Sequence, residues 1–183
     1  MMWVIFMLTV FCLLFITVKS HFFAFKSQNI LRFKDENNIF DIRDCLNGHM
    51  LAEGMVYGLS GNLESTFIAT FEGSWEGNEG TLIESFSFSS GKNQNRRWKL
   101  KVLDDGTIEG TAPDIIGKAN GQQMGSAVKL EYKIKLSQEL GGHSINVIDW
   151  MHLMENGTII NRSEFRKFGM KVGELVATFR TKQ

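Results

Sequence analysis

The sequence contains little cysteine and carries no net charge. Cys12 and Cys45 are the only two cysteines among the 183 residues. Because Cys12 lies in an apolar amino-terminal segment, the remaining chain has a single cysteine and cannot form an internal disulfide. Lysine plus arginine and aspartate plus glutamate both number 20, so no excess of basic charge favours nucleic-acid binding. Cysteine content and charge therefore indicate neither a cellular compartment nor a partner.

Motifs for catalysis and metal binding are also missing from the sequence. It has no G-x-S-x-G, no phosphate-binding loop and no dinucleotide fingerprint. The histidines, at positions 21, 49, 143 and 152, lack the spacing of a metal site, so we expect neither a metal nor a cofactor. No histidine accompanies Cys45 in a pattern typical of a nucleophile. These absences favour a protein without enzymatic activity but do not exclude an enzyme.

An uncharged apolar run begins the sequence. Residues 1–18 read MMWVIFMLTVFCLLFITV, close to the ~18 to 20 residues that a helix needs to cross a bilayer. A cleavable signal peptide fits less well, because no basic residue precedes Lys19 and no small-residue cleavage site lies near Ser20. A lipoprotein signal would need a small residue before Cys12, where Phe11 stands. We therefore expect an uncleaved single-pass anchor over residues 1–18, followed by a juxtamembrane linker over residues 19–38.

Residues 39–183 show the alternation of apolar and polar side chains that is typical of β-strands. The clearest example places apolar residues at every second position: Val128, Leu130, Tyr132, Ile134 and Leu136. Glycine-containing dipeptides suited to tight turns separate such segments: Asp105-Gly106, Gly141-Gly142 and Asn156-Gly157. The best helix candidate after the anchor is a turn or two at residues 163–167.

This pattern predicts the fold class. Short strands at regular spacing with glycine-rich turns predict an all-β domain, an antiparallel up-and-down barrel of about eight to ten strands. Such a barrel is similar to the lipocalins and other calycins. Closure of the barrel also removes the exposed strand edges that promote aggregation.

Ordered motifs run through the predicted barrel. They are Gly73-x-Trp75-x-Gly77-x-x-Gly80-Thr81-Leu82-x-Glu84-x-Phe86, Arg97-Trp98, Gly110-Thr111-Ala112-x-Asp114-x-x-Gly117-x-Ala119-x-Gly121, Asp149-Trp150-Met151, Asn161-Arg162 and Lys167-Phe168-Gly169-x-x-x-Gly173-Glu174. The series resembles a bacterial family known only as domain of unknown function 3833. The resemblance implies a compact β domain held at the cell envelope, with a role connected to acyl chains or membrane stress and no assigned activity. The chain departs from the family pattern at Ile148, where an acidic residue is usual, and at Pro113, where an aspartate is usual.

Charged residues inside or beside apolar runs are the candidates for chemistry. They are Glu84, Arg96, Arg97, Asp149 and Arg162. Unpaired burial of such groups is costly, so we expect them to find one another. One interpretation is an ion-pair network that closes the barrel, with Asn161 and Asp114 tying turns. A second is a cavity lined by Glu84 and Asp149, in which an arginine binds the carboxylate head group of a fatty acid.

We therefore predict a membrane-anchored β-barrel that binds an acyl or lipid-like ligand, or an envelope partner, without catalysis. One alternative is a lipid-modifying isomerase or hydrolase that uses Glu84 and Asp149 for acid–base chemistry. Another is a structural interaction domain with a closed core. The candidate ligand-binding residues are Glu84, Arg96, Arg97, Trp98, Asp149, Trp150, Asn161 and Arg162. We expect the soluble domain in the periplasm, although the basic residues that follow the apolar run would place it on the cytoplasmic side by the positive-inside rule.

Overall fold

A computed structural model describes residues 2–22, 25–138 and 141–181, with the side chains of positions 13 and 16–22 left undescribed. Its strands are β1 (Gly48–Tyr57), β2 (Leu63–Glu76), β3 (Glu79–Phe88), β4 (Asn93–Val102), β5 (Thr107–Thr111), β6 (Ala119–Met124), β7 (Ala127–Lys135), β8 (Ser144–Leu153), β9 (Ile159–Lys167) and β10 (Met170–Thr181). Each strand pairs antiparallel with the next, and β10 pairs with β1 to close the cycle. The predicted all-β, antiparallel up-and-down barrel is confirmed, and it has ten strands.

Helical elements precede the barrel. They are α1 (Met2–Phe22), the 3-10 helices η1 (Phe25–Ser27) and η2 (Ile30–Phe33), and α2 (Ile42–Cys45). Among the described residues, no helix supplies an apolar stretch that is long enough to cross a membrane. The anchor expected at residues 1–18 is therefore not supported, although residue 1 and the side chains at positions 13 and 16–18 lie outside the described part of this segment.

The alternation seen in the sequence corresponds to the two faces of the barrel wall. In β2, burial alternates strictly from Phe67 to Gly73: the residues at odd positions are buried, and Ile68, Thr70 and Glu72 between them are exposed. The helical turn predicted at residues 163–167 is wrong, because these residues belong to β9. Their cross-strand pairing with β8 and β10 overrides the weak local preference for a helix.

Residues 40–46 close one end of the barrel and form what we call the plug. Phe40, Ile42 and Leu46 are buried in the apolar core there. The Trp75 indole N–H donates to the backbone carbonyl of Leu46 at 3.4 Å. A Cβ added at Gly73 would lie 1.8 Å from the same carbonyl oxygen, so only glycine permits this close approach. The plug is thus fixed against β2.

The segment before the plug packs against the outer wall of the barrel. The ring of Phe33 lies 6.0 Å from that of Trp150 and 5.1 Å from that of His152. The Asn38 side-chain amide donates to the carbonyl of Leu153 at 2.8 Å, and the Phe40 N–H donates to the carbonyl of Gly125 at 2.7 Å. Part of the predicted linker therefore covers β8, and the chain just after it is bonded to the β6–β7 turn.

Candidate ligand-binding cavity

The barrel encloses a cavity of about 830 Å³. Aromatic and aliphatic side chains form most of its wall, among them Phe67, Phe71, Phe86, Leu130, Met151 and Phe179. The lining also includes residues of the turns and strand ends opposite the plug: Ser90, Lys92, Asn93, Lys135 and Ser137. The cavity thus extends from the plug residues Ile42 and Leu46 to the turns at the other end, which we call the mouth.

The first polar cluster on the wall joins β3, β4 and the β5–β6 connection. Glu84 and Arg96 are direct cross-strand partners, and both face inward because of the alternation of their strands. The Arg96 guanidinium donates through Nε and Nη2 to Oδ2 of Asp114, at 3.0 and 2.6 Å. Arg96 also lies over the ring of Trp98, 5.7 Å from its centroid. Trp98 is itself buried and lines the cavity.

The second polar cluster joins β7, β8 and β9. Oδ1 of Asp149 accepts hydrogen bonds from the Asn161 side-chain amide and from the Ser163 hydroxyl, the latter at 2.8 Å. Its Oδ2 accepts from the Tyr132 hydroxyl at 3.4 Å. The ring of Tyr132 packs edge-on against Trp98, with centroids 5.4 Å apart, so the two clusters share one wall. Asn161 also donates to the Trp150 carbonyl at 3.1 Å, which fixes its orientation.

Burial raises the pKa of one carboxyl group in each polar cluster. Loss of solvation raises the pKa of Glu84 from 4.5 to about 7, against the attraction of Arg96 and with a smaller contribution from the charge of Asp149. Loss of solvation also raises the pKa of Asp149, while the hydrogen bonds from Asn161 and Ser163 oppose that shift. Glu84 can therefore gain or lose a proton near neutral pH.

Five of the eight predicted residues contribute to the cavity wall: Glu84, Arg96, Trp98, Asp149 and Asn161. The other three do not line it. Arg97 is exposed on the outer face of β4, and Arg162 pairs on the outside with Glu174 at 2.5 Å and lies over Phe25. Trp150 is buried on the outer face under Phe33.

Three residues of the two polar clusters were not among the predicted binding residues: Asp114, Tyr132 and Ser163. Tyr132 lies on the predicted apolar face of β7, so its inward position followed from the alternation. The hydrogen bond from its hydroxyl to Asp149 did not. Ser163 is the cross-strand partner of Asp149, which only the register reveals. Within the described ranges, no group of three or more histidine, cysteine, aspartate or glutamate side chains is arranged to hold a metal ion.

Comparison with known proteins identifies the family. The sequence model of DUF3833, a protein of unknown function, matches residues 20–181. No curated protein is detectably similar to the chain in sequence.

Comparison of structures supports the barrel fold. Rv2717c from M. tuberculosis is similar with a TM-score of 0.56 and 14% identity, covering 76% of this chain and 94% of that one. A protein of unknown function from the DUF3598 family of Nostoc punctiforme matches with a TM-score of 0.56 and 11% identity, covering 80% of this chain and 51% of that one. At these identities the likeness shows the fold alone. The sequence match extends over most of the chain, and the chain therefore belongs to the DUF3833 family of proteins of unknown function.

Proposed function

We propose that this barrel binds an elongated apolar ligand, such as an acyl chain, inside its cavity and does not transform it chemically. The observation that carries the proposal is the cavity of about 830 Å³ with a mainly aromatic and aliphatic wall. Protein interiors are otherwise packed as densely as organic crystals, and a large void destabilises a fold. A cavity of this size falls within the range of ligand pockets, about 300–1,000 Å³. It also argues against a purely structural domain with a closed core.

Burial of an acyl chain against the apolar wall supplies the main favourable contribution to binding. Removing about ten methylene groups of an acyl chain from water contributes about 8 kcal/mol. That is the free energy of a micromolar complex before the costs of association are subtracted. We therefore expect modest affinity for a bare chain, with further affinity and all selectivity coming from the polar clusters.

The location of the protein belongs to the same proposal. A periplasmic barrel, as expected from the sequence, would lie between two membranes and so place the cavity close to a large supply of acyl chains. Cell fractionation and protease accessibility of the full chain would test that location separately from binding.

Glu84 favours a second candidate function, acid–base catalysis on a bound lipid. Its raised pKa of about 7 suits proton exchange at neutral pH. Asp149 fits this role less well, because Asn161, Ser163 and Tyr132 already donate to its carboxylate. Binding and catalysis are distinguished by recovering the ligand after incubation: a binder returns it unchanged, whereas an enzyme converts it and Glu84→Gln abolishes the conversion.

The binding proposal is tested with an uncharged fluorescent probe, N-phenylnaphthylamine, whose emission rises in apolar surroundings. Ala177 is buried and lines the cavity, so Ala177→Phe places a ring in the ligand volume. Thr178→Phe on the same strand is the matched control, because its side chain points to the outside. We expect saturable binding that Ala177→Phe weakens by about tenfold and Thr178→Phe leaves unchanged. Equal binding by all three proteins would contradict the proposal.

A further inference from the structure

Glu84 has a carboxylate oxygen without a hydrogen-bond donor inside the cavity. Its side chain is 9% exposed, and Oε2 has no partner among the described residues. The Arg96 Nη1 atom lies 3.8 Å away, which preserves charge attraction but exceeds a hydrogen bond. A buried carboxylate oxygen that lacks a donor is costly, and native proteins rarely leave one in place without a role. This atom therefore marks a position for a ligand donor.

Arg96 is not free to serve as the anion-binding group that the sequence suggested. Two of its nitrogens are bonded to Oδ2 of Asp114, at 3.0 and 2.6 Å. The other oxygen of Asp114, Oδ1, is buried and also has no donor among the described residues. A ligand carboxylate could reach the guanidinium only by displacing Asp114, and it would leave that aspartate unpaired.

The charges of the inner wall also favour a ligand donor over a ligand anion. Glu84, Asp114 and Asp149 are the acidic lining residues, and Arg96 is the basic residue beside them. The remaining basic lining residues, Lys92 and Lys135, lie at the mouth. A second anion next to these carboxylates would be repelled strongly in a medium of low dielectric constant. A donor group, and above all a cationic one, would instead be attracted.

We propose that the polar end of the ligand is a hydrogen-bond donor, a primary amine or a hydroxyl group, that lies against Glu84 and Asp114 while its alkyl chain fills the apolar cavity. This inference rests on the proposed function, since it assigns the head group of the same ligand. It replaces the fatty-acid carboxylate expected from the sequence. Glu84 acts as the acceptor that selects the head group, and Arg96 holds Asp114 in position.

Three ligands with the same chain and different head groups test the assignment: dodecylamine, dodecanol and dodecanoate. Each is titrated by calorimetry into the full chain below its micelle concentration, at a pH of about 8, where Glu84 is ionised and the amine is protonated. We expect dodecylamine to bind about tenfold more tightly than dodecanoate, because it gains a charge-assisted hydrogen bond instead of repulsion. Dodecanol should lie between them.

Variants identify the group that selects the ligand. Glu84→Gln keeps an acceptor oxygen but removes the charge. We therefore expect it to lower the affinity for dodecylamine about tenfold and the affinity for dodecanol by about twofold or less. Asp114→Asn releases Arg96 and should improve the binding of dodecanoate; it provides a second readout if Glu84→Gln folds poorly. Glu79→Gln, an exposed change on the same strand, is the matched control and should alter none of the three affinities.

The outcomes separate the two proposals. If none of the three ligands binds, the proposed function itself fails. If dodecanoate binds as tightly as dodecylamine or more tightly, the head-group assignment is overturned while ligand binding stands. The head-group assignment is also overturned if Lys135→Glu lowers the affinity for dodecanoate and Glu84→Gln leaves all three affinities unchanged. The polar end of the ligand would then lie at the mouth.

Discussion

Oε2 of Glu84 and Nη1 of Arg96 lie 3.8 Å apart across β3 and β4, while Arg96 forms its shorter contact, 2.6 Å, with Asp114. The arginine therefore compensates Glu84 only in part. The buried carboxylate keeps enough of its desolvation cost that its pKa rises to about 7. Both the ligand preference and the pH dependence of stability follow from this relationship.

Stability should fall as pH rises through the range set by Glu84. The folded state holds the Glu84 proton up to a pH of about 7, whereas the unfolded chain releases it near 4.5. Between these values the folded state binds more protons, so stability decreases by about 3 kcal/mol and then levels off. Urea unfolding at a series of pH values measures this decrease. Glu84→Gln should remove most of the slope of unfolding free energy against pH, and Glu79→Gln should keep that slope.

A slope that is unchanged in Glu84→Gln would mean that another group titrates in this range. Asp149, whose pKa is also raised, is the first alternative and would be identified by Asp149→Asn.

Amine binding should strengthen with rising pH. Protonated Glu84 lacks the charge that attracts an ammonium group, so the affinity for dodecylamine should increase through a pH of about 7 and then become constant. The affinity for dodecanol should change much less, and calorimetry over the same pH series measures both. A parallel rise for the two ligands would show a general change in the cavity rather than titration beside the head group.

Asp149 is expected to act mainly in the structure of the wall. Asp149→Ala removes the acceptor that the Asn161 amide, the Ser163 hydroxyl and the Tyr132 hydroxyl share, which should destabilise the fold by about 2 to 4 kcal/mol. Asp149→Asn retains an acceptor oxygen and removes a buried charge, so its cost should be about 1 kcal/mol or less. Chemical denaturation measures both variants. Equal losses would indicate that the negative charge, not the acceptor, stabilises the cluster.

The plug at the closed end depends on a glycine. A methyl group at position 73 would overlap the Leu46 carbonyl oxygen, 1.8 Å away, so Gly73→Ala should force the plug or β2 to move. We expect a loss of about 2 to 4 kcal/mol in unfolding free energy, measured by urea denaturation. Ser74→Ala, next to it and exposed, should change stability by about 0.5 kcal/mol or less. A Gly73→Ala protein as stable as Ser74→Ala would show that the plug is loosely held.

Alternation in the sequence predicted much of the site. Because Leu82, Glu84 and Phe86 share a parity, the carboxylate was expected on the inner face of β3, and the structure places it there. The same rule separates Arg96 from Arg97 and Asp149 from Trp150, since adjacent residues of a strand face opposite sides. These four residues therefore cannot all line the same cavity.

Other features could not be read from local patterns. Asp114 lies in an irregular connection, and its contact with Arg96 depends on how that connection folds over the barrel. Trp150 is buried on the outer face because Phe33, more than 100 residues earlier, packs over it. Such contacts between distant segments have no periodic signal in the sequence.

Native mass spectrometry of the wild-type and Ala177→Phe proteins with dodecanol tests the central claim most directly. We predict a one-to-one complex for the wild-type protein and a strongly reduced complex for Ala177→Phe. The absence of a complex in both proteins, or an equal amount in both, would contradict binding within the barrel.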